Sequence, residues 1–191
     1  MSGADEMLTR VLADEDATVA FGRELHDAIR QRLGDTAVVY LHGNLGAGKT
    51  TLVRGVLRMM NHVGAVKSPT YTLLEPYTTE HGDVFHFDLY RLKSPEELEF
   101  LGFDEIFEGP GYKFVEWPEQ GAGWLPPANV EVSLSLHKPS GDAEKAELMQ
   151  RKVSVRFAWS PGHFPLFDIG VFGIGLFGVG AAVFGGDGKF H

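Results

Sequence analysis

The chain has 191 residues, of which 43% are hydrophobic and 23% charged, a composition that fits one globular domain and excludes disorder throughout. Its 17 Lys and Arg against 26 Asp and Glu give a net charge of −9, which argues against tight, unaided binding to a nucleic-acid backbone. The absence of cysteine excludes disulfides, cysteine-ligated metal sites and thiol nucleophiles. The first 16 residues are acidic and lack an apolar run, so we expect no cleavable signal peptide and a cytoplasmic location.

The first half of the chain predicts a helix, a strand, a glycine-rich turn and a second helix. Apolar residues at helical spacing predict a helix over Ala17 to Leu33, with Asp16 as its N-cap and Gly34 as its stop. The run from Ala37 to Leu41 is continuously apolar, as is typical of a strand buried on both faces of a parallel sheet. Helical character resumes from Lys49 to Met60.

The second half predicts two hairpins and one more helix. Strands over Tyr71 to Tyr77 and Val84 to Asp88 are joined by a short polar segment, which favours an antiparallel pair. Ser94, followed by proline and two glutamates, is a strong helix start. The remaining strands are predicted at Tyr112 to Val115, Val130 to Leu136 and Val153 to Trp159, the last two as a second hairpin.

Residues 43–50 spell G-N-L-G-A-G-K-T and satisfy the phosphate-loop pattern G-x-x-x-x-G-K-[ST]. The motif follows a buried strand and opens a helix, as its mechanism requires, so a purely structural loop is the less favoured alternative. Its backbone N–H groups and the helix N-terminus would hold phosphate oxygens. Lys49 would reach the β- and γ-phosphates, and the Thr50 hydroxyl would bind Mg²⁺.

Two carboxylates end apolar strands after the phosphate loop, Asp88 and Glu116. A phosphate-loop protein needs a carboxylate that holds the metal directly or through water, and another can orient the attacking water. The sequence does not divide these roles between the two residues.

Other candidate residues have a structural and a functional interpretation. Thr70, in the segment Ser-Pro-Thr-Tyr, could sense the γ-phosphate, or it could lie in an ordinary turn. Trp117 offers a stacking face, although packing is the commoner role of such a residue. His86 lies within an apolar strand and is interpreted as a core histidine rather than a ligand.

Together these motifs resemble the TsaE (YjeE) family. The resemblance extends from about Asp14 to about Leu136 and rests on residues 43–51, 68–73, 86–92, 95–99 and 115–118. It implies a phosphate-loop NTPase-like, three-layer α/β fold with a mixed central sheet, binding of ATP and Mg²⁺, and weak ATPase activity. It also implies assembly with TsaD and TsaB to place threonylcarbamoyl on the adenosine beside the anticodon in tRNAs that decode codons beginning with A. In that assembly the chain would meet tRNA indirectly, through its partners, which agrees with its acidic charge.

The resemblance also implies roles for individual residues. Catalytic roles fall on Lys49, Asp88 and Glu116, and metal binding on Thr50, Asp88 and Glu116. Asn44 stands where the family commonly has aspartate, a change expected to be mild because the loop acts through its backbone. The nucleotide-binding residues would be Asn44, Leu45, Gly46, Ala47, Gly48, Lys49, Thr50, Thr51, Thr70 and Trp117.

Two other functions remain open at this point. A small-molecule kinase would use the same loop, but it usually adds a lid of converging arginines, and the arginines that follow the loop, such as Arg54, Arg58 and Arg91, are scattered along the sequence. A nucleotide-gated adaptor would bind ATP without significant turnover.

The domain boundary is predicted near residue 160. Residues 1–160 form the ATPase domain, with residues 1–13 expected to be mobile, and residues 161–191 form an atypical tail without a counterpart in the family. Ile169 to Gly186 carries no charge and is rich in glycine and phenylalanine. Its length would admit a membrane span, but its glycines disfavour a helix. The alternatives are a flexible extension, an extension covered by a partner, and a sequence that has left its ancestral reading frame.

Overall fold

The computed structural model describes residues 6–138 and 150–158, which form an α/β domain around a seven-stranded mixed sheet. The helices are α1 (Glu15–Leu33), α2 (Lys49–Met59) and α3 (Phe103–Glu108), with 3-10 helices at Pro95–Leu101 and Pro118–Gly121. The strands are β1 (Glu6–Leu12), β2 (Thr36–His42), β3 (Leu74–Thr79), β4 (Gly82–Asp88), β5 (Gly111–Glu116), β6 (Val130–His137) and β7 (Gln150–Phe157).

The strand order is β1-β7-β6-β2-β5-β4-β3, with β2 at the centre. Strand β2 runs parallel to both of its neighbours, β5 and β6, and β4 runs parallel to β5. The pairs β3–β4, β6–β7 and β1–β7 are antiparallel. Because the carboxyl ends of parallel strands meet at one edge of a sheet, the ends of β2, β4 and β5 lie together, which is where ligands bind in open α/β sheets.

Apolar side chains cover both faces of the sheet. Phe114 and Val115 are consecutive in β5 and point to opposite faces, as the strand period of two requires. Phe114 belongs to the larger cluster, which packs the sheet against α1 and α2. Val115 belongs to a second cluster with Phe87 and Phe103, against α3 and the first 3-10 helix. The domain therefore has three layers, and the predicted fold class is confirmed.

Two glycines allow α1 and α2 to touch. A Cβ atom on Gly22 would lie 2.4 Å from the Leu52 carbonyl oxygen, and one on Gly55 would lie 2.3 Å from the Val19 carbonyl oxygen. Both distances are shorter than van der Waals contact, so the helices approach backbone to backbone. This contact fixes α2, and with it the loop that precedes α2, over the sheet.

The amino-terminal predictions need correction. Residues 6–12, expected to lie in a mobile segment, form β1, which pairs along its whole length with β7. Helix α1 is capped by Asp14 and not by Asp16, because the Asp14 carboxylate accepts a 2.7 Å hydrogen bond from the Ala17 amide while Asp16 lies within the first turn. Gly34 ends α1 as expected, with φ of 78°.

Two later elements also differ from expectation. Strand β3 begins at Leu74 rather than Tyr71, because the Leu73 amide donates to the Pro69 carbonyl at 2.7 Å and Leu73 adopts a φ of 62°, which makes a turn. The helix after Ser94 is a 3-10 helix that stops at Gly102, whose φ is 64°, before α3 begins. The two hairpins are confirmed.

The predicted tail, residues 161–191, and the end of the last predicted strand at Trp159 lie outside the described residues. Within residues 6–138 and 150–158, no helix is long and apolar enough to cross a membrane.

Candidate functional site

The loop of residues 43–48 joins β2 to α2 at the carboxyl edge of the sheet. Gly48, with a φ of 103°, takes a left-handed conformation that other residues rarely adopt. Gly43 lies against β6, where an added Cβ would be 2.3 Å from the Leu134 carbonyl oxygen. Ala47 is buried and its amide donates to the Asn44 carbonyl at 3.1 Å. The loop is thus anchored by Ala47, while residues 44–46 are exposed.

The amino-terminus of α2 has the features of an anion-binding site. Its N-cap is Gly48, no side chain within residues 6–138 and 150–158 caps its first-turn amides, and the first turn holds no acidic residue. Helix α1 differs in both its cap and its first turn, since the Asp14 side chain caps it and Glu15 and Asp16 occupy its first turn. The amides and positive dipole end of α2 can therefore bind an anion, and phosphate is the group that such helix ends commonly bind.

Lys49 lies beneath this loop with 4% of its surface exposed. Its ammonium donates to the carbonyl oxygens of Gly43 at 2.7 Å and Asn44 at 3.3 Å. It is 4.0 Å from Oε2 of Glu116 and 4.2 Å from the centre of the Trp117 ring. Burial lowers the pKa of Lys49, and the negative charge of Glu116 opposes that shift. The ammonium is therefore held in place by two neutral carbonyl oxygens, for which a charged phosphate oxygen is the stronger partner.

Glu116 ends β5 and is nearly buried, at 3% exposed. Its Oε1 accepts a 2.8 Å hydrogen bond from the Thr50 hydroxyl and lies 2.9 Å from Nε2 of His86. His86 is fully buried, and its Nδ1 has no hydrogen-bond partner in the described part of the chain. The tautomer that carries its proton on Nε2 satisfies the contact with Glu116.

Asp88 ends β4 and is the register partner of Glu116 on β5. Its carboxylate accepts hydrogen bonds from the hydroxyls of Ser68 and Thr70, the latter at 2.9 Å, and from the Tyr90 amide at 3.1 Å. Two carboxylates thus lie side by side, Glu116 bonded to the phosphate-loop helix and Asp88 bonded to the segment around Thr70.

Most of the residues predicted from sequence therefore meet in one place. Lys49 lies beside Glu116 and Trp117, and Thr50 is bonded to Glu116. Asp88 with Thr70 forms an adjacent group. Trp117 takes a left-handed φ of 58° and lies 5.0 Å from the Tyr90 ring. Among the other predicted residues, Leu45 is 72% exposed at the loop tip and Thr51 is half-buried in α2.

Sequence reasoning missed two side chains of this site. His86, interpreted as a core histidine, is buried but also contacts Glu116. Ser68 belongs to the recognised segment but was not expected to touch Asp88. The signal for His86 was available, because residues two apart in a strand share a face, and His86 therefore lies on the same face as Asp88.

The donor set suits magnesium bound together with a phosphate ligand. No cluster of three or more His, Asp or Glu side chains that could hold a metal alone occurs among the described residues. Mg²⁺ normally takes one or two carboxylates and completes its shell with phosphate oxygens and water. Thr50, Glu116 and Asp88 at the edge of an uncapped helix match that requirement.

Comparison with known proteins supports one family. Three similar proteins, each named tRNA threonylcarbamoyladenosine biosynthesis protein TsaE, come from Haemophilus influenzae, Rickettsia felis and a Nostoc species. The Haemophilus protein is 43% identical over 75% of this chain and 90% of its own length. The Rickettsia protein is 37% identical over 66% of this chain and 71% of its own length. The Nostoc protein is 37% identical over 69% of this chain and 80% of its own length. The crystal structure of Bacillus subtilis YdiB superposes with a TM-score of 0.57 at 24% identity, covering 82% of this chain and 88% of that one. That match supports the phosphate-loop NTPase-like fold.

The family model described as "Threonylcarbamoyl adenosine biosynthesis protein TsaE" matches residues 12–146. This range contains the phosphate loop, both carboxylates and the segment around Thr70. The chain therefore belongs to the TsaE family of tRNA threonylcarbamoyladenosine biosynthesis proteins.

Proposed function

We propose that this chain binds ATP with Mg²⁺ in its phosphate loop and hydrolyses it slowly. The observation that carries the proposal is the meeting of Lys49, Thr50 and Glu116 at the uncapped amino-terminus of α2. Backbone amides, an ammonium, a hydroxyl and a carboxylate in this arrangement supply the groups that a triphosphate and its metal require.

The contacts suggest a division of roles that the sequence left open. Glu116 shares a hydrogen bond with Thr50, so these two residues would bind the metal, directly or through water. Asp88 is bonded instead to Thr70 and Ser68, so it would link the metal side of the site to the segment that senses the γ-phosphate. Bound Mg²⁺ would offset the negative charge that develops on the phosphate oxygens. Lys49 would exchange its carbonyl partners for those oxygens.

We place this activity in the pathway that the family name gives. The chain would act in the cytoplasm with TsaD and TsaB, which attach threonylcarbamoyl to the adenosine beside the anticodon in tRNAs that decode codons beginning with A. Its net charge of −9 disfavours direct binding to the tRNA backbone. We therefore propose that the partner proteins bind the tRNA and that ATP hydrolysis resets or drives the complex.

ATP turnover measured with and without TsaD, TsaB and tRNA tests this proposal. We expect low turnover by the chain alone, strong stimulation by the partners, and loss of both in Lys49→Ala. Phosphorylation of an added metabolite would instead indicate a kinase. ATP-dependent association with the partners without turnover would indicate an adaptor, and absence of nucleotide binding would contradict the proposal.

A further inference from the structure

The sheet ends in two edge strands, β3 and β1, and they differ in how they are protected against pairing with another strand. Strand β3 contains Pro76, which has no N–H to offer to a further strand and is a common means of blocking a sheet edge. Strand β1 contains no proline, and it pairs with β7 from Glu6 to Leu12 without a bulge. Within residues 6–138 and 150–158, no strand pairs with the outer edge of β1. That edge therefore remains able to pair.

Strand β1 also carries apolar side chains that the domain does not bury. On one face of the strand, Arg10 donates to Glu24 of α1 at 2.8 Å. Because side chains alternate along a strand, Met7, Thr9 and Val11 lie on the other face. Met7 is 70% exposed and Val11 is 47% exposed. A strand added at the edge of β1 would cover part of both side chains.

The spacing of these residues is self-complementary. If two copies of β1 pair antiparallel along their whole length, the twofold axis passes through Thr9, the central residue of the strand. Met7 of each copy then lies opposite Val11 of the other copy, on the same face of the sheet. Apolar side chains directly opposite each other are the pairs that stabilise a sheet, and a single twofold axis is the commonest symmetry of protein dimers.

We propose that β1 is a dimerisation edge, through which two copies of this chain join their sheets by antiparallel pairing centred on Thr9. Backbone hydrogen bonds would supply the contact, and the pairs of Met7 with Val11 would fix its register. A second copy fits this edge because the same seven residues supply both sides and oppose no two like charges. For an interface this small we expect a dissociation constant of roughly 10–100 µM. Dimerisation through β1 is independent of the proposed nucleotide binding.

Disulfide cross-linking is a direct test, because the chain contains no cysteine. Thr9→Cys would place two thiols opposite each other across the axis, with Cβ atoms about 4.5–5.5 Å apart, which is within reach of a disulfide after a small adjustment. Met7→Cys would place its two thiols four residues apart along the strands, roughly 13 Å or more. Val63→Cys, at a residue that is 97% exposed and outside the sheet, measures random collision.

We expect Thr9→Cys to form the covalent dimer at least about tenfold faster than Val63→Cys under mild oxidation, as preset disulfide geometry requires. Met7→Cys alone and Val11→Cys alone should be as slow as the control, whereas a mixture of these two variants should cross-link. Equal rates for Thr9→Cys and Val63→Cys overturn the inference. Rapid cross-linking of Met7→Cys alone overturns the register.

Sedimentation of the full chain over a series of concentrations measures the dimer without a cross-link. Met7→Lys combined with Val11→Lys sets like charges opposite each other and should weaken the dimer by about tenfold. Met7→Lys combined with Val11→Glu sets opposite charges there and should restore most of the affinity. Val63→Lys is the control and should dimerise as the native chain does.

Three results in sedimentation overturn the inference. The first is a native chain that stays monomeric, including one whose β1 pairs only with a strand of another protein. The second is a dimer that the pair of lysines does not weaken, since another surface would then form it. The third is equal weakening by the two charge variants while both keep the native unfolding midpoint, since Met7 would then not lie opposite Val11.

Discussion

The hydroxyl of Thr50 donates a 2.8 Å hydrogen bond to Glu116, 66 residues later in the chain. The bond joins the first turn of α2 to the carboxyl end of β5, so the fold itself brings two proposed metal ligands together. Such preorganisation means that binding does not have to order these side chains.

Thr50→Val should weaken the response to magnesium without unfolding the chain. Valine has nearly the same shape as threonine but cannot bind a metal or donate to Glu116. We expect half-maximal nucleotide binding to need a severalfold higher Mg²⁺ concentration than in the native chain. An unchanged magnesium titration would remove Thr50 from the metal site.

Asp88→Asn and Glu116→Gln should both reduce turnover but respond differently to metal. Each change removes one charge with little change in volume. Because Glu116 contacts Thr50 while Asp88 contacts Thr70 and Ser68, raised Mg²⁺ should partly restore Glu116→Gln and should restore Asp88→Asn less. Equal restoration in turnover assays would mean that the two carboxylates share the metal.

His86 should act by holding Glu116 in position. His86→Leu removes the 2.9 Å contact, and we expect it to raise the Mg²⁺ requirement by about tenfold or more, the size of one hydrogen bond to a charged group. His86→Gln keeps a donor and should recover part of that loss. His26→Gln, at a buried histidine of α1, is the control and should leave the magnesium titration unchanged. Equal titrations for His86→Leu and His86→Gln would argue against a positioning role.

Gly55→Ala should destabilise the domain although alanine is the better helix former. Propensity alone predicts a gain of about 1 kcal/mol. The added Cβ would lie 2.3 Å from the Val19 carbonyl oxygen, and relief of that overlap should cost roughly 1–3 kcal/mol. Urea unfolding measures the sign of the change. Arg58→Ala, at an exposed position of the same helix, should be close to neutral, and a stabilised Gly55→Ala would contradict the helix contact described above.

Tyr40 should make stability depend on pH in the alkaline range. Burial, and next the charge of Glu131, raise the pKa of Tyr40 to about 12. Its hydroxyl donates to the Pro126 carbonyl, a bond that phenolate cannot make. Between pH 10 and 12 the unfolded state therefore binds fewer protons than the folded state, and the free energy of unfolding falls as pH rises. Below pH 10 this contribution is fully present.

Urea unfolding at pH 9, 10 and 11 tests this expectation. Tyr40→Phe should lose less stability over that interval than the native chain. Tyr71→Phe removes a phenol that is 84% exposed and should follow the native chain. Parallel pH profiles for the native chain and Tyr40→Phe would contradict the assignment.

Local patterns in the sequence predicted the centre of the fold and most of the site. The phosphate loop was identified because its glycines, Lys49 and Thr50 are adjacent in sequence and their roles depend on backbone conformation. Asp88 and Glu116 were found because each ends an apolar strand. These features require no knowledge of which strands are neighbours.

What could not be predicted depends on long-range contacts. The order of the strands brings Glu116 to Thr50 and Asp88 to Thr70, and nothing local reveals it. Strand β1 was not predicted because its apolar pattern is short and half-exposed. Its strand conformation depends on pairing with β7 rather than on the propensity of its own residues.

The pairing of β1 with β7 also affects how the chain can fold during synthesis. Thr9 meets Ser154 across a sequence separation of 145 residues. At a ribosomal rate of about 5–20 residues per second, β1 is made roughly 7 to 30 seconds before its partner strand. In this interval β1 has no neighbour to pair with, and closing so large a loop is slow. The edge of the sheet formed by β1 should therefore be the last part to form. A nascent chain arrested before β7 should leave β1 accessible to proteases or to holdase chaperones.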